Sequence, residues 1–259
     1  MLGSIKSSQH WQWSAFGKHP GIKDFFNLGH GDPLTAGFSD WVKSGYQQGG
    51  VKKNSNSFFS WRFWARGFKK QCLACGLVRD SSDSLGRPYP ILIMGTGLLN
   101  GWEEYWDLLP YACETTWNRM EYISSRMFNN LKQMEEEVQG LQPPLAYWEE
   151  GVEKRKGFRN CRESSSFQGC SRDLLNSQNQ ALSLLREKEI LVSFDEGTFQ
   201  EQSTWIGFWH FLFKEQEDAL PNALFMGGTL EKTFLAGFKR PLIPADFVRL
   251  WSVSSSGGS

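Results

Sequence analysis

Three apolar runs follow one another with only short turns between them: residues 58–64 (FFSWRFW), 71–79 (QCLACGLVR) and 89–96 (YPILIMGT). Runs of this length, rich in aromatic and branched side chains and bounded by Gly, Pro, Asp and Ser, read as strands. Connections so short cannot contain the crossover that a parallel pair needs, so the three are expected to form an antiparallel meander. Other segments must then cover that sheet. Residues 10–16 (HWQWSAF) alternate aromatic and polar side chains and supply a further strand. A helix should open at Asp32-Pro33, with Asp as cap and Pro at the first helical position. Leu34, Phe38, Trp41, Val42 and Gly45 share one face of it, and Gly49-Gly50 should stop it before a polar connector at 51–57.

From Trp102 to Gly140 the spacing becomes helical, with a break expected at Pro110. Trp117, Met120, Ile123, Met127, Leu131 and Met134 recur every three or four residues as an apolar stripe. Further on, residues 172–187 read as an amphipathic helix and 190–194 as a short strand. Residues 203–215 (STWIGFWHFLFKE) are apolar enough for a buried helix opened by a Ser or Thr cap, with a strand as the alternative. Residues 223–226 and 232–235 pair about Gly227-Gly228, and 244–251 form a last helix begun by Pro. The fold class is α/β: a layered sandwich with a largely antiparallel central sheet and helices packed on it. The organisation expected is a main α/β domain over 8–140, a linker or insertion over 141–172, and a smaller α/β part over 173–252 packed on the first. A disordered tail over 253–259 closes the chain. The 141–172 stretch contains Pro143-Pro144, the basic group Lys154, Arg155, Lys156, Arg159 and Arg162, and the Ser-rich ESSSFQGCS. A solvated loop is the default reading of that charge run.

Lys and Arg number 28, as do Asp and Glu, so no basic excess points to nucleic acid. The first residues, MLGSIKSSQHW, hold no apolar signal core, and no stretch approaches the ~18 apolar residues of a membrane span. A cytoplasmic protein without membrane insertion is expected. Aromatic residues make up 15% of the chain, enough to fill a core and leave some for a partner-facing surface. The five cysteines are odd in number and irregularly spaced, which suits no disulfide framework. Cys72 and Cys75 form a C-x-x-C, but no second ligand pair accompanies them, and they sit in a strand rather than opening a helix. The structural reading is therefore preferred, and no cofactor or metal is expected.

Two loops stand out, FGKHPGIKDF at 16–25 and DSLGRPYP at 83–90. Gly17-Lys18 is not a P-loop, because the upstream glycine and the following Ser or Thr are missing. No G-x-S-x-G elbow is present. His19 with Asp24, or with a hydroxyl of Ser81, Ser82 or Ser84, is the one hydrolase reading worth retaining. In the second loop Gly86 suits a left-handed turn, and Arg87 lies four residues after Asp83, within pairing reach.

These motifs resemble the TagF (ImpM) family of bacterial type VI secretion-associated proteins. The resemblance rests on Phe16, Gly17, Lys18, Pro20, Asp24 and Phe25 in the first loop and on Trp61 and Phe63 in the next strand. It continues in Asp83, Gly86, Arg87, Tyr89 and Pro90 of the second loop, while Gly237-Phe238 and Pro244-Ala245-Asp246-Phe247 match only loosely. It implies a non-enzymatic cytoplasmic regulator that restrains assembly or firing of the secretion machine after translation by binding a forkhead-associated scaffold protein. A structural component of the machine is a third possibility. Gly17, Lys18, Pro20, Asp24, Phe25, Trp61, Asp83, Gly86, Arg87 and Pro90 are the residues expected either to touch a partner or to brace the motif.

Overall fold

The computed structural model describes residues 11–29, 32–49, 57–164, 189–194, 199–216 and 220–253. The helix expected over 172–187, the connector at 51–56, the first ten residues, His30, Cys170 and the tail from 254 lie outside the described residues.

The strands are β1 (Gln12–Gly17), β2 (Phe26–Leu28), β3 (Ser60–Arg66), β4 (Cys72–Arg79), β5 (Ile91–Leu98), β6 (Glu189–Phe194), β7 (Ala223–Gly228) and β8 (Thr233–Phe238). They form one sheet in the order β2-β1-β5-β4-β3-β7-β8-β6, and every neighbouring pair is antiparallel. The meander β3-β4-β5 occupies its centre, as the short turns required. The C-terminal strands continue the same sheet through the β3–β7 ladder.

Among the described residues seven α-helices cover both faces: α1 (Pro33–Gln48), α2 (Leu109–Ala112), α3 (Glu114–Ser125), α4 (Leu131–Gln139), α5 (Trp148–Ser164), α6 (Phe199–Gln216) and α7 (Pro244–Leu250). Strand alternation sorts the side chains. Trp61, Phe63, Ala74, Val78, Phe225 and Phe238 face α1 and α7. Trp64, Leu73, Cys75, Leu77, Leu224 and Leu235 face the other layer, built from α2 to α6. Because both faces are covered, β4 is buried along almost its whole length. The α1 start is as expected: Asp32 accepts from the Thr35 amide at 2.8 Å, and Pro33 opens the helix.

Some expectations are corrected. Pro110 does not break a helix but sits in the first turn of α2, where its missing N–H costs nothing. The apolar stripe is interrupted between α3 and α4, where Arg126 is extended and Asn130 caps a new helix by accepting from the Gln133 amide. The periodicity restarts there, so Met127 is 67% exposed and Leu131 lies at the surface, while Phe128 turns inward in their place. Residues 148–164 of the presumed linker form α5. Its basic group is not a solvated run, since Arg155 grips the buried Asp107 carboxylate with two bonds of 2.9 and 2.6 Å. Arg159 pairs with Glu215 at 2.8 Å, and Lys154 lies 3.8 Å from the centre of the Tyr111 ring. Residues 203–215 are helical rather than a strand, within a helix that begins earlier, at Phe199.

Candidate functional site

The first loop leaves β1 at Gly17, whose φ of +122° lies in the left-handed region, and a Cβ there would meet the Pro90 carbonyl oxygen at 2.1 Å. Only glycine therefore lets β1 end against the start of β5. The chain then turns over Pro20, closed by the Ile22 amide on the His19 carbonyl at 2.9 Å. The second loop folds as a small hairpin. The Asp83 amide donates to the Arg87 carbonyl at 3.2 Å, the Tyr89 amide donates to the Ser81 carbonyl at 3.0 Å, and Gly86 takes φ +75° at the turn. The two loops are joined directly by the Ser84 amide on the Ile22 carbonyl at 2.9 Å.

At the junction sits the Asp83 carboxylate, with no exposed side-chain surface. Its Oδ1 accepts from the Leu85 and Arg87 amides, each at 3.0 Å. Its Oδ2 lies 3.0 Å from Lys18 Nζ and accepts from Arg87 Nε at 2.7 Å. Burial alone would push this carboxyl up. The bonds from Lys18, from the Arg87 amide and guanidinium and from the Leu85 amide outweigh it and hold the group well below the usual carboxylate range. Folding keeps that charged state, so the stability it contributes is present above the ordinary carboxylate pKa and is lost as pH falls towards the depressed value. Arg87 reaches further. Its Nη2 donates to the Lys23 carbonyl at 3.1 Å and to Asp24 Oδ1 at 3.2 Å.

The sequence-derived residues therefore divide. Gly17, Lys18, Pro20, Asp83, Gly86 and Pro90 build the brace, and Trp61 lies fully buried in the core. Asp24, with 80% of its side chain exposed, Arg87, with 51%, and Phe25 form an outer rim. Phe25 packs edge-on against Phe16 and Tyr89, and Tyr46 of α1 donates from its hydroxyl to the Pro88 carbonyl at 2.9 Å. Leu85, 62% exposed at the tip between Asp83 and Gly86, belongs to the same rim. The sequence reading missed it, although an apolar residue at the tip of a polar turn is a signal that could have found it.

The His19–Asp24 pair is not assembled. His19 is completely buried: the Gly21 amide donates to its Nδ1 at 3.1 Å, and its Nε2 donates to the Ile123 carbonyl of α3, also at 3.1 Å. Burial lowers its pKa, against the raising effect of the Ile123 carbonyl. With both ring nitrogens on backbone groups, His19 holds the first loop against α3 and reaches no hydroxyl of Ser81, Ser82 or Ser84. The C-x-x-C divides as well. Cys72 and Cys75 are three apart on β4, an odd offset that sends the two thiols to opposite faces of the sheet. Among the described residues, no three His, Cys, Asp or Glu side chains are grouped to hold a metal ion. Nor, among those residues, is any helix long and apolar enough to cross a membrane.

A brace of this composition, ending one strand and beginning another, lies inside residues 14–142, which match the family described as the TagF N-terminal domain, type VI secretion system-associated. The chain belongs to the TagF family. Its fold resembles the crystal structure of PA0076 from Pseudomonas aeruginosa PAO1, with a TM-score of 0.51 and 15% identity over 92% of this chain and 93% of that one. No curated protein matches by sequence. The type VI secretion association and the α/β sheet architecture expected from the sequence thus hold, and the family match spans every residue of both loops.

Proposed function

We propose that this TagF-family chain is a non-enzymatic cytoplasmic regulator that restrains type VI secretion by binding a forkhead-associated scaffold protein through the rim of Asp24, Phe25, Leu85 and Arg87. The observation that supports it is the division of labour around Asp83. A buried carboxylate with four anchors fixes two loops so that an apolar pair and an oppositely charged pair face outward on a rigid support. Rigid presentation lowers the entropy lost on association. Exposed aromatic and Arg side chains are also the types enriched where partners dock. The hydrolase reading gains nothing from the geometry, since His19 has no free ring nitrogen.

The test is titration of the purified scaffold with wild-type protein and with Arg87→Glu. Because Arg87 also bonds the buried Asp83 carboxylate, the variant should melt cooperatively at a lower temperature, and, while folded, should bind at least about tenfold more weakly. A folded Arg87→Glu that binds as wild type would place the contact elsewhere. Asp24→Lys, at a still more exposed position, provides the same readout if Arg87→Glu fails to fold.

A further inference from the structure

The sheet end that carries the motif continues as a row of paired residues: Gly17 opposite Ile91, Ile91 opposite Arg79, Arg79 opposite Ser60, Ser60 opposite Gly228, and Gly228 opposite Thr233. Strands lie ~4.8 Å apart, so Ser60 sits about 15 Å along this row from Gly17. There a cleft of about 500 Å³ opens between α3 and the β7–β8 hairpin, with the first residues of β3 and the last of β4 as its floor. That volume lies within the ~300–1,000 Å³ range of ligand sites.

Two guanidinium groups line the floor, and they differ. Arg62 is answered by Glu121 of α3, with bonds of 2.7 and 2.8 Å to its two oxygens. Among the described residues Arg79 has no carboxylate within ion-pair distance, although Glu121 acts on it through space. Among the described residues its side chain donates only to Ser124 Oγ at 2.9 Å and lies over the Phe58 ring at 4.6 Å. Of five guanidinium N–H groups, four are left without an acceptor among the described residues. The neighbouring Asp80 points to the other face, where it accepts from the Phe59 amide and the Trp251 indole. Burial lowers the Arg79 pKa, which marks a cation partly stripped of water.

The lips of the cleft are apolar. Leu230 is 91% exposed at the hairpin tip and Tyr122 is 46% exposed on α3. The tip is firmly built, since the Thr229 hydroxyl accepts from the Glu231 and Lys232 amides and the Thr229 amide donates to the Lys232 carbonyl at 3.0 Å. A free small molecule on the floor would leave Leu230 in water, whereas a segment crossing the cleft would cover it. Glu114, also lining the cleft at the other end of α3, stands ~10 Å from Glu121 along the helix axis. It opposes a second negative charge, so a polyanion is disfavoured.

We propose that this cleft docks an extended segment of a protein partner, which sets one carboxylate on Arg79 and flanks it with apolar side chains between Leu230 and Tyr122. This surface is separate from the Arg87 rim and does not depend on it. The test is selection of a phage-displayed random peptide library on the full chain, followed by fluorescence anisotropy with the labelled consensus peptide. Wild-type protein should enrich peptides with one acidic position between apolar ones. Arg79→Gln should weaken the consensus peptide by at least about tenfold and Leu230→Ser by several-fold, while Asp24→Lys leaves it unchanged. Circular dichroism checks that each variant is folded, and Leu230→Ser, at the most exposed position, keeps the test valid if Arg79→Gln unfolds. The proposal is overturned by no enrichment over the Leu230→Ser protein, by a consensus without an acidic position, or by equal affinity for folded Arg79→Gln. It is overturned also if 3-phenylpropionate displaces the peptide at the peptide's own affinity, which would make the cleft a small-molecule site.

Discussion

The two faces of the sheet are covered in different ways. Under α1 and α7 the packing is aromatic and close: Phe38 stacks on Phe63 with ring centres 4.8 Å apart, Phe63 on Phe225 at 5.3 Å, and Phe247 on Trp251 at 3.9 Å. Two helices crossing one another suffice to close that face, and Gly45 of α1 lets the Phe247 ring lie directly against its backbone. On the opposite face, among the described residues, five helices do the covering. They are held by polar anchors such as Arg155 on Asp107, Arg62 on Glu121 and the backbone bonds of His19, and they leave the cleft. The first face contributes mainly cohesion. The second gives up some cohesion and gains concave surface and buried titratable groups.

The largest effect should come from the closely packed face. Phe225→Ala removes a fully buried ring in contact with the rings of Trp41, Phe63 and Phe238, and is expected to cost ~3–5 kcal/mol. In calorimetry that is a fall in Tm of roughly 6–20 °C. A much smaller fall would mean that this face is not the more cohesive one.

Next comes a pH effect confined to the other face. His210 of α6 is fully buried, with its Nδ1 donating to the Ile206 carbonyl at 2.8 Å and its Nε2 accepting from the Trp64 indole at 3.3 Å. Burial lowers its pKa to about 4, against the raising effect of the Ile206 carbonyl. Between the ordinary histidine value of about 6.5 and about 4 the unfolded chain therefore binds a proton that the folded chain does not. Stability should decline by up to ~3 kcal/mol as pH falls through that window, with His19 adding in the same direction. Urea midpoints measured across it should flatten in His210→Phe. An unchanged slope would remove His210 as the cause.

The smallest effect should be at the cleft lip. Tyr122→Ala changes a half-exposed ring and should alter stability by no more than ~0.5 kcal/mol, within the range of ordinary surface substitutions. A loss comparable to that of Phe225→Ala would show that the lip is part of the core.

The meander, the capped start of α1 and the second loop's turn were legible because each depends on local chemistry: strand runs with short turns, Asp32 before Pro33, and Gly86 where the chain needs a left-handed residue. The pairing of Asp83 with Arg87 could be read from their spacing alone. That Lys18 joins them could not, because Lys18 and Asp83 are brought together by the sheet pairing of β1 with β5. The same holds for His19, which looked like half of a dyad with Asp24 until α3 supplied the Ile123 carbonyl. The stripe across α3 and α4 misled because a break with a new Asn130 cap resets the helical phase without disturbing the three-or-four spacing of apolar letters. The basic stretch on α5 looked solvated because its partners, Asp107, Tyr111 and Glu215, are distant in sequence. The cleft left no local mark at all, since the residues that α3 and the β7–β8 hairpin contribute to its walls are more than a hundred apart in sequence.

One ladder carries a consequence for how the molecule is made. β3 lies in the middle of the sheet, yet its neighbour on one side, β7, is synthesised about 160 residues after it. At ~5–20 residues per second on the ribosome, the β3 edge waits on the order of ten to thirty seconds for its partner. During that time its Trp61, Phe63 and Trp64 backbone groups form an open template for any other strand in the cell. A nascent chain of this kind is at its most adhesive midway through its own translation, and a fragment cut at residue 142, where the family match stops, would keep that condition permanently.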